Sequence, residues 1–527
     1  MNMNDIKKII KDDKFTITCD GLFGVLRVKN TELLELSNKT YNVSFLDAID
    51  FSITSNGLSI IKSYFYETVR SYSTILLMRN IIEDFALKEM YLKGDIPKES
   101  IELLKYNGFI EDYKQYKDFK GPEYKKFIDY SKMLEDYKGA LSVYNKYGIK
   151  EKDIIKMDIP FILKKKTTYS ELIDKYLPTF KQFYKLLSFY VHPHNYGTEG
   201  SDDNVDLVFA NIVYQLLRYY KDDLVNAKAI NSFSVEKNLL LSLMIDAPDN
   251  YSLHFLNYCI EENVLITDLR DLVEKALGEN NYIKHLLDVL PGIVYDICTD
   301  SIHGQSENCK MKFKTIIELF SVYDWLYFSE EYDEKHFKLL NYYSAIKEND
   351  AYDYPYEENY KEAFEVFQKL YPNCNDYDKF RITFGKTLGF TIDGNYNKMS
   401  LNDIINQYIE KNYRGAKALD GMNMTVLFSV LYSEACSIGH GKAYSFFANT
   451  GAFMEDINVV LLTDYMIRNF FFKYNIYFKT FDVEKKYGEL EEKIELFANK
   501  INEIANKKVK LMRLKITKFD FKTMRYK

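Results

Sequence analysis

Arg79 and Glu83 stand four residues apart in the run Arg79-Asn80-Ile81-Ile82-Glu83, and Ser188 and His192 stand four apart in Ser188-Phe189-Tyr190-Val191-His192. That spacing puts both members of each pair on one face of a helix. If the two helices pack together, a guanidinium, a carboxylate, a hydroxyl and an imidazole meet in an otherwise apolar seam, which is costly unless every group is partnered. Such a set suits general acid–base chemistry, with Arg79, Glu83 and His192 as the catalytic residues. The same pattern also describes a buried polar staple between two helices.

Three further groups have residue types that could carry chemistry. His192-Pro193-His194, followed by Asp202 and Asp203, has donors that suit zinc or manganese, but an H-x-H beside a polar loop lacks a third fixed ligand, and a solvated helix end explains it better. No metal and no cofactor is expected. Ser437-Ile438-Gly439-His440-Gly441-Lys442 has glycines that permit close backbone approach and a lysine that invites a phosphate. It lacks both the preceding strand and the spacing of a P-loop, so a helix break accounts for it. The C-terminal segment from Lys507 to Lys527 holds nine Lys or Arg against one acid, Asp520. Within it Lys507, Lys508, Lys510, Arg513, Lys515 and Lys518, interleaved with Leu511, Leu514 and Ile516, form a candidate nucleic-acid-binding arm.

The elements that must position these residues are helices. Between Gly57 and Gly94 there is no Gly or Pro, and Ile61, Phe65, Val69, Tyr72, Ile75, Leu76, Ile82 and Phe85 recur mostly three or four apart, which predicts a long amphipathic helix. Pro178 fits a first helical position, Phe180, Phe183, Tyr184, Leu187, Tyr190 and Val191 make a stripe, and Pro193 ends it. Helical spacing resumes over 205–220, over about 233–300 with breaks at Pro248 and Pro291, and over about 483–505. The first 57 residues differ: the runs FTITC, GLFGVLRV and YNVSFL predict a small mixed cap. The basic tail alternates like a strand or extended arm.

An all-α protein follows, divided as 1–57 mixed cap, 58–230 first bundle, 231–305 helical linker, 306–480 second bundle, and 481–527 C-terminal helix and basic arm. A repeat supports the two bundles. FILKKKTTYSELIDKY then KLLSFYVHPH in the first half matches FGKTLGFTIDGNYNKMSLNDIINQY then SVLYSEACSIGHGKAY in the second. Each is a Ser-led helix followed by a hydrophobic helix ending in His192 or His440. This alignment sets Asp324 near the place of Arg79, so the arginine has no counterpart in the second half.

Composition limits the function classes. Hydrophobic residues at 47% and charged residues at 28% make a globular balance. A net charge of −7 excludes a wholly basic nucleic-acid binder. Six scattered cysteines without a C-x-x-C predict reduced thiols. The N-terminal MNMNDIKKIIKDDK lacks the apolar core of a signal peptide, and the run from Val459 to Phe478 is interrupted by Asp464, Arg468 and Lys473, so a cytoplasmic protein with no membrane span is expected.

The R-N-I-I-E run on a long helix, with L-S-F-Y-V-H about a hundred residues on, resembles bacterial helical proteins of unknown function in or near the HEPN (higher eukaryotes and prokaryotes nucleotide-binding) superfamily. The resemblance covers roughly 58–220 and, through the repeat, 310–475. It implies two HEPN-like bundles and a role in antiviral defence of the abortive-infection type, as sensor or toxin. RNA, a phage protein or a second copy of the chain would be the partner. The chain departs from the nuclease pattern, since none of its seven His follows an Arg by about one helical turn. A ribonuclease or RNA-binding effector, and a non-enzymatic interaction scaffold, are the rival expectations.

Overall fold

A computed structural model describes residues 12–39, 44–66, 72–125, 128–151, 168–190, 202–226, 282–302, 306–328, 357–384, 401–417 and 423–439, together with short pieces elsewhere. The described part is 88% helical, as the 3.6-residue periodicity requires. The helices are α1 (Asp13–Lys39), α2 (Phe45–Tyr66), α3 (Tyr72–Leu92), α4 (Lys98–Tyr116), α5 (Tyr130–Lys146), α6 (Tyr169–Tyr176), α7 (Lys181–Tyr190) and α8 (Asp202–Asn226). They continue with α9 (Tyr282–Ile302), α10 (Ser306–Phe328), α11 (Glu357–Leu370), α12 (Tyr377–Phe384), α13 (Leu401–Tyr413) and α14 (Met424–Gly439). Two-residue strands β1 (Phe519–Asp520) and β2 (Arg525–Tyr526) pair antiparallel, with Phe519 opposite Tyr526.

Two compact units result: Met1–Glu236 with Ser306–Glu455, and Lys237–Gln305 with Asp456–Lys527. In the first, α3 is the axis. Its Ile75, Leu76, Leu77, Met78, Ile81, Ile82, Phe85 and Ala86 are all buried, and the core they seed takes in side chains from α1, α2, α6, α7 and α8. An apolar helix buried on nearly every side is a core helix rather than a surface one. In the second unit, α9 buries Leu286, Leu287, Leu290, Ile293, Val294 and Ile297.

Several expectations need correction. The mixed N-terminal cap is helical: FTITC and GLFGVLRV lie inside α1, where Cys19, Leu22, Phe23, Val25 and Leu26 are buried at helical spacing. Burial against α2 and α8 outweighs the strand preference of the β-branched residues, which is a weak local bias. The helix expected between Gly57 and Gly94 is the end of α2 plus α3, and Gly57 sits within α2, where a Cβ would come within 3.1 Å of Leu26. Pro291 does not end its helix; α9 runs through it, with Leu290 and Ile293 buried on either side. Cys19, Cys309, Cys374 and Cys436 are free thiols, as expected, but Cys298 is disulfide-bonded.

No described helix is long and apolar enough to cross a membrane. Pro248, the 483–505 helix, His192, His194, His440, Lys442 and the basic residues Lys507, Lys508, Lys510, Arg513, Lys515 and Lys518 lie outside the described residues, as do the side chains of Asp202 and Asp203.

Candidate functional site

Polar groups interrupt the apolar axis α3 on consecutive turns. Asn80, Glu83, Asp84, Lys88 and Glu89 are all buried, and Arg79 is partly so. Each must be satisfied by the helices packed around it.

Arg79 and Glu83 do what their spacing predicts. The Arg79 Nη2 lies 3.4 Å from Glu83 Oε1, with the arginine side chain 20% exposed and the glutamate 3%. A third group comes from the expected helix, α7, and among the described residues it is Tyr184. Its hydroxyl donates to Glu83 Oε1 at 2.7 Å and accepts from Arg79 Nη2 at 3.3 Å, closing a three-membered cluster. The guanidinium carbon also stands 5.4 Å from the Tyr184 ring centroid. Ser188 lies one turn further along α7, partly exposed.

Burial dominates the electrostatics. It lifts the Glu83 carboxyl to about 7, against the pull of the Arg79 charge and the Tyr184 hydrogen bond. For Arg79 burial works the other way, but Glu83 and Tyr184 outweigh it and hold the guanidinium firmly charged. Burial, followed by the negative charge of Glu83, raises the Tyr184 phenol as well. The cluster therefore combines a fixed cation, a carboxyl that gains or loses a proton near neutrality, and a phenol that stays protonated. One donor is uncommitted: the buried Arg79 Nε has no hydrogen-bond partner.

Beside it is a second carboxyl. Asp84 accepts from the Ser52 hydroxyl at 2.6 Å and from Asn56 Nδ2 at 3.2 Å, both on α2. No cation is among these partners. Burial lifts Asp84 to about 8, with the Ser52 and Asn56 hydrogen bonds opposing and the charge of Glu83 adding to the rise.

One turn on, Lys88 bonds Asp50 of α2, and its ammonium sits over the rings of Tyr219 and Tyr220 at 4.4 and 5.1 Å. Glu89 accepts from the Tyr219 hydroxyl at 3.0 Å and from Gln215 at 3.4 Å, both on α8. These ties lock α3 to α2 and α8. Each of these groups has a partner on a neighbouring helix, so they serve packing.

Sequence reasoning found Arg79 and Glu83 and missed Tyr184, Asp84 and its α2 partners. A signal for Tyr184 existed, though a faint one: it precedes Ser188 by four residues, so both fall on one face of α7. Among the described residues no group of His, Cys, Asp and Glu could hold a metal ion. The chain matches no family model, no curated protein and no solved structure.

Proposed function

We propose that the chain is a cytoplasmic antiviral defence protein of the HEPN-like, abortive-infection kind, a sensor or toxin whose working centre is Arg79 and Glu83 with Tyr184 and His192. The observation that supports this reading is the closed, buried cluster of Arg79, Glu83 and Tyr184. A staple needs only paired charges. This cluster instead keeps a carboxyl poised to exchange a proton near neutral pH, beside a guanidinium with a donor to spare. That combination suits an oxyanion such as a phosphate ester, which the arginine would hold while Glu83 takes or gives the proton. RNA is one such ester, and the cations from Lys507 to Lys518 would draw it to the protein.

The experiment is expression of the wild type and of His192→Ala in bacteria, with growth, phage yield and total RNA followed together. The expected result is growth arrest or phage protection by the wild type and its loss in His192→Ala. Degraded RNA that also depends on His192 would make the effector a ribonuclease. Neither arrest nor protection by the wild type would overturn the defence reading and leave an interaction scaffold.

A further inference from the structure

Another long helix of the first unit, α10, carries a copy of the α3 pattern. Arg79-Asn80-Ile81-Ile82-Glu83-Asp84-Phe85 is matched by Lys314-Thr315-Ile316-Ile317-Glu318-Leu319-Phe320. In both runs the two isoleucines and the phenylalanine are fully buried. Lys314 Nζ lies 2.7 Å from Glu318 Oε1, the same four-residue ion pair as on α3, with side chains only 10% and 1% exposed. The third group also recurs: the Tyr432 hydroxyl of α14 donates to Glu318 Oε1 at 3.1 Å, as Tyr184 does to Glu83. Beyond the tyrosines, Ser188 and Cys436 each follow by four residues and His192 and His440 by eight.

The helix order repeats with the residues. α3 packs against the short α6 and then α7, and α10 packs against the short α13 and then α14. The short helices share a buried pattern, Leu172, Ile173 and Tyr176 in α6 and Ile404, Ile405 and Tyr408 in α13. Leu319 stands where α3 has Asp84, but a later acid is kept: Glu89 pairs with Arg218 at 3.4 Å, and Asp324, at the matching place on α10, pairs with Lys411 at 3.6 Å. Asp324 is therefore the counterpart of Glu89, and the cation that corresponds to Arg79 is Lys314.

The two clusters adjoin. α3 packs on α10, and the Arg79 charge reaches Lys314, where it opposes the raising effect of Glu318. Within each cluster a polar atom remains buried without a partner, Nε of Arg79 in the first and Oε2 of Glu318 in the second.

We propose that Lys314, Glu318 and Tyr432 form a second centre equivalent to Arg79, Glu83 and Tyr184, produced by duplication of one helical module, and that both centres serve the same class of oxyanionic ligand. The ligand rests on the function proposed above; the equivalence rests on the repeated residues and contacts. The second centre differs in two ways. A lysine offers one point charge where the arginine offers a planar fork. Cys436 replaces Ser188.

The test compares Tyr184→Phe, Tyr432→Phe and the double variant in the full chain, each change removing one hydroxyl from one carboxylate. Unfolding by denaturant is expected to show a loss in the folding constant on the order of tenfold for either single variant. In cells that show wild-type arrest or protection, both single variants are expected to lose most of it. Tyr432→Phe with unchanged stability would overturn the equivalence, whatever the cells do. Equal destabilisation with protection lost only in Tyr184→Phe would reduce the second centre to a structural relic and overturn its role. A wild type without arrest or protection would remove the ligand role of both centres together, and the unfolding data would still decide whether they are equivalent.

Discussion

Replacing Arg79 with Met is expected to destabilise the first unit by about 3–5 kcal/mol at pH 8 and by markedly less at pH 5. At the higher pH the substitution removes the cation that pairs with Glu83, 3% exposed, so the carboxyl must either keep its charge with the Tyr184 hydroxyl as its remaining named partner or take up a proton against the solution pH. At the lower pH Glu83 takes a proton and the stranded charge disappears, since its carboxyl already stands at about 7 with the arginine present. Denaturant titrations of both proteins at the two pH values measure the difference. An equal loss at pH 5 and pH 8 would mean that Arg79 stabilises by packing of its stem alone.

The second large effect is on the wild type itself. Burial sets Glu83 at about 7 and Asp84 at about 8, against ordinary values of 4.5 and 3.8. A carboxyl raised in the folded state binds its proton more tightly there than in the unfolded chain. Its contribution is therefore fully present below the unfolded value and is lost as pH rises through the folded one. Stability should fall between about pH 4 and pH 8 by several kcal/mol in all, because each tenfold gain in proton affinity on folding is worth roughly 1.4 kcal/mol. Relaxation and water entry would recover part of that loss. Asp84→Asn should remove the larger share of the slope. It keeps the acceptor for Ser52 and Asn56 and leaves nothing to ionise, so the variant should match the wild type below about pH 4 and exceed it increasingly as the pH rises. A flat stability profile across this range in the wild type would show that the two carboxyls are not enclosed as described.

How much of this could be read from the sequence depends on which force decides each element. The helices of the first unit were legible where apolar residues recur every three or four positions, as from Ile75 to Phe85, because burial of one stripe is what stabilises them. The first helix was not, since Thr16, Ile17 and Thr18 favour extended backbone locally and only packing of Leu22 and Leu26 on neighbouring helices reverses that preference. Arg79 and Glu83 were legible because charges inside an apolar run demand partners. Tyr184 was not, because in a chain with 46 tyrosines its ring reads as one more apolar position and its hydroxyl matters only once Glu83 lies opposite. Asp84 was hidden by the same logic, as its partners Ser52 and Asn56 come from another helix.

The repeat was half legible. His192 and His440 gave a frame for alignment, and near-equal spacing to each histidine, 113 and 116 residues, pointed to Asp324 as the counterpart of Arg79. The segments between the long helix and the tyrosine helix differ in length in the two halves, which displaces that alignment. The contacts of Glu318 with Lys314 and Tyr432 restore it.

Whether the Arg79, Glu83 and Tyr184 cluster does chemistry, rather than merely fastening α7 to α3, is tested most directly by Glu83→Gln. Glutamine keeps the shape and the acceptor oxygen of Glu83 but can neither take up nor release a proton. Folding stability and protection of cells against phage should be measured on this same variant. A chemical role predicts a protein at least as stable as the wild type above pH 7, where the buried negative charge is gone, that no longer protects. A Glu83→Gln variant that protects as well as the wild type would contradict that role and return the cluster to a structural one.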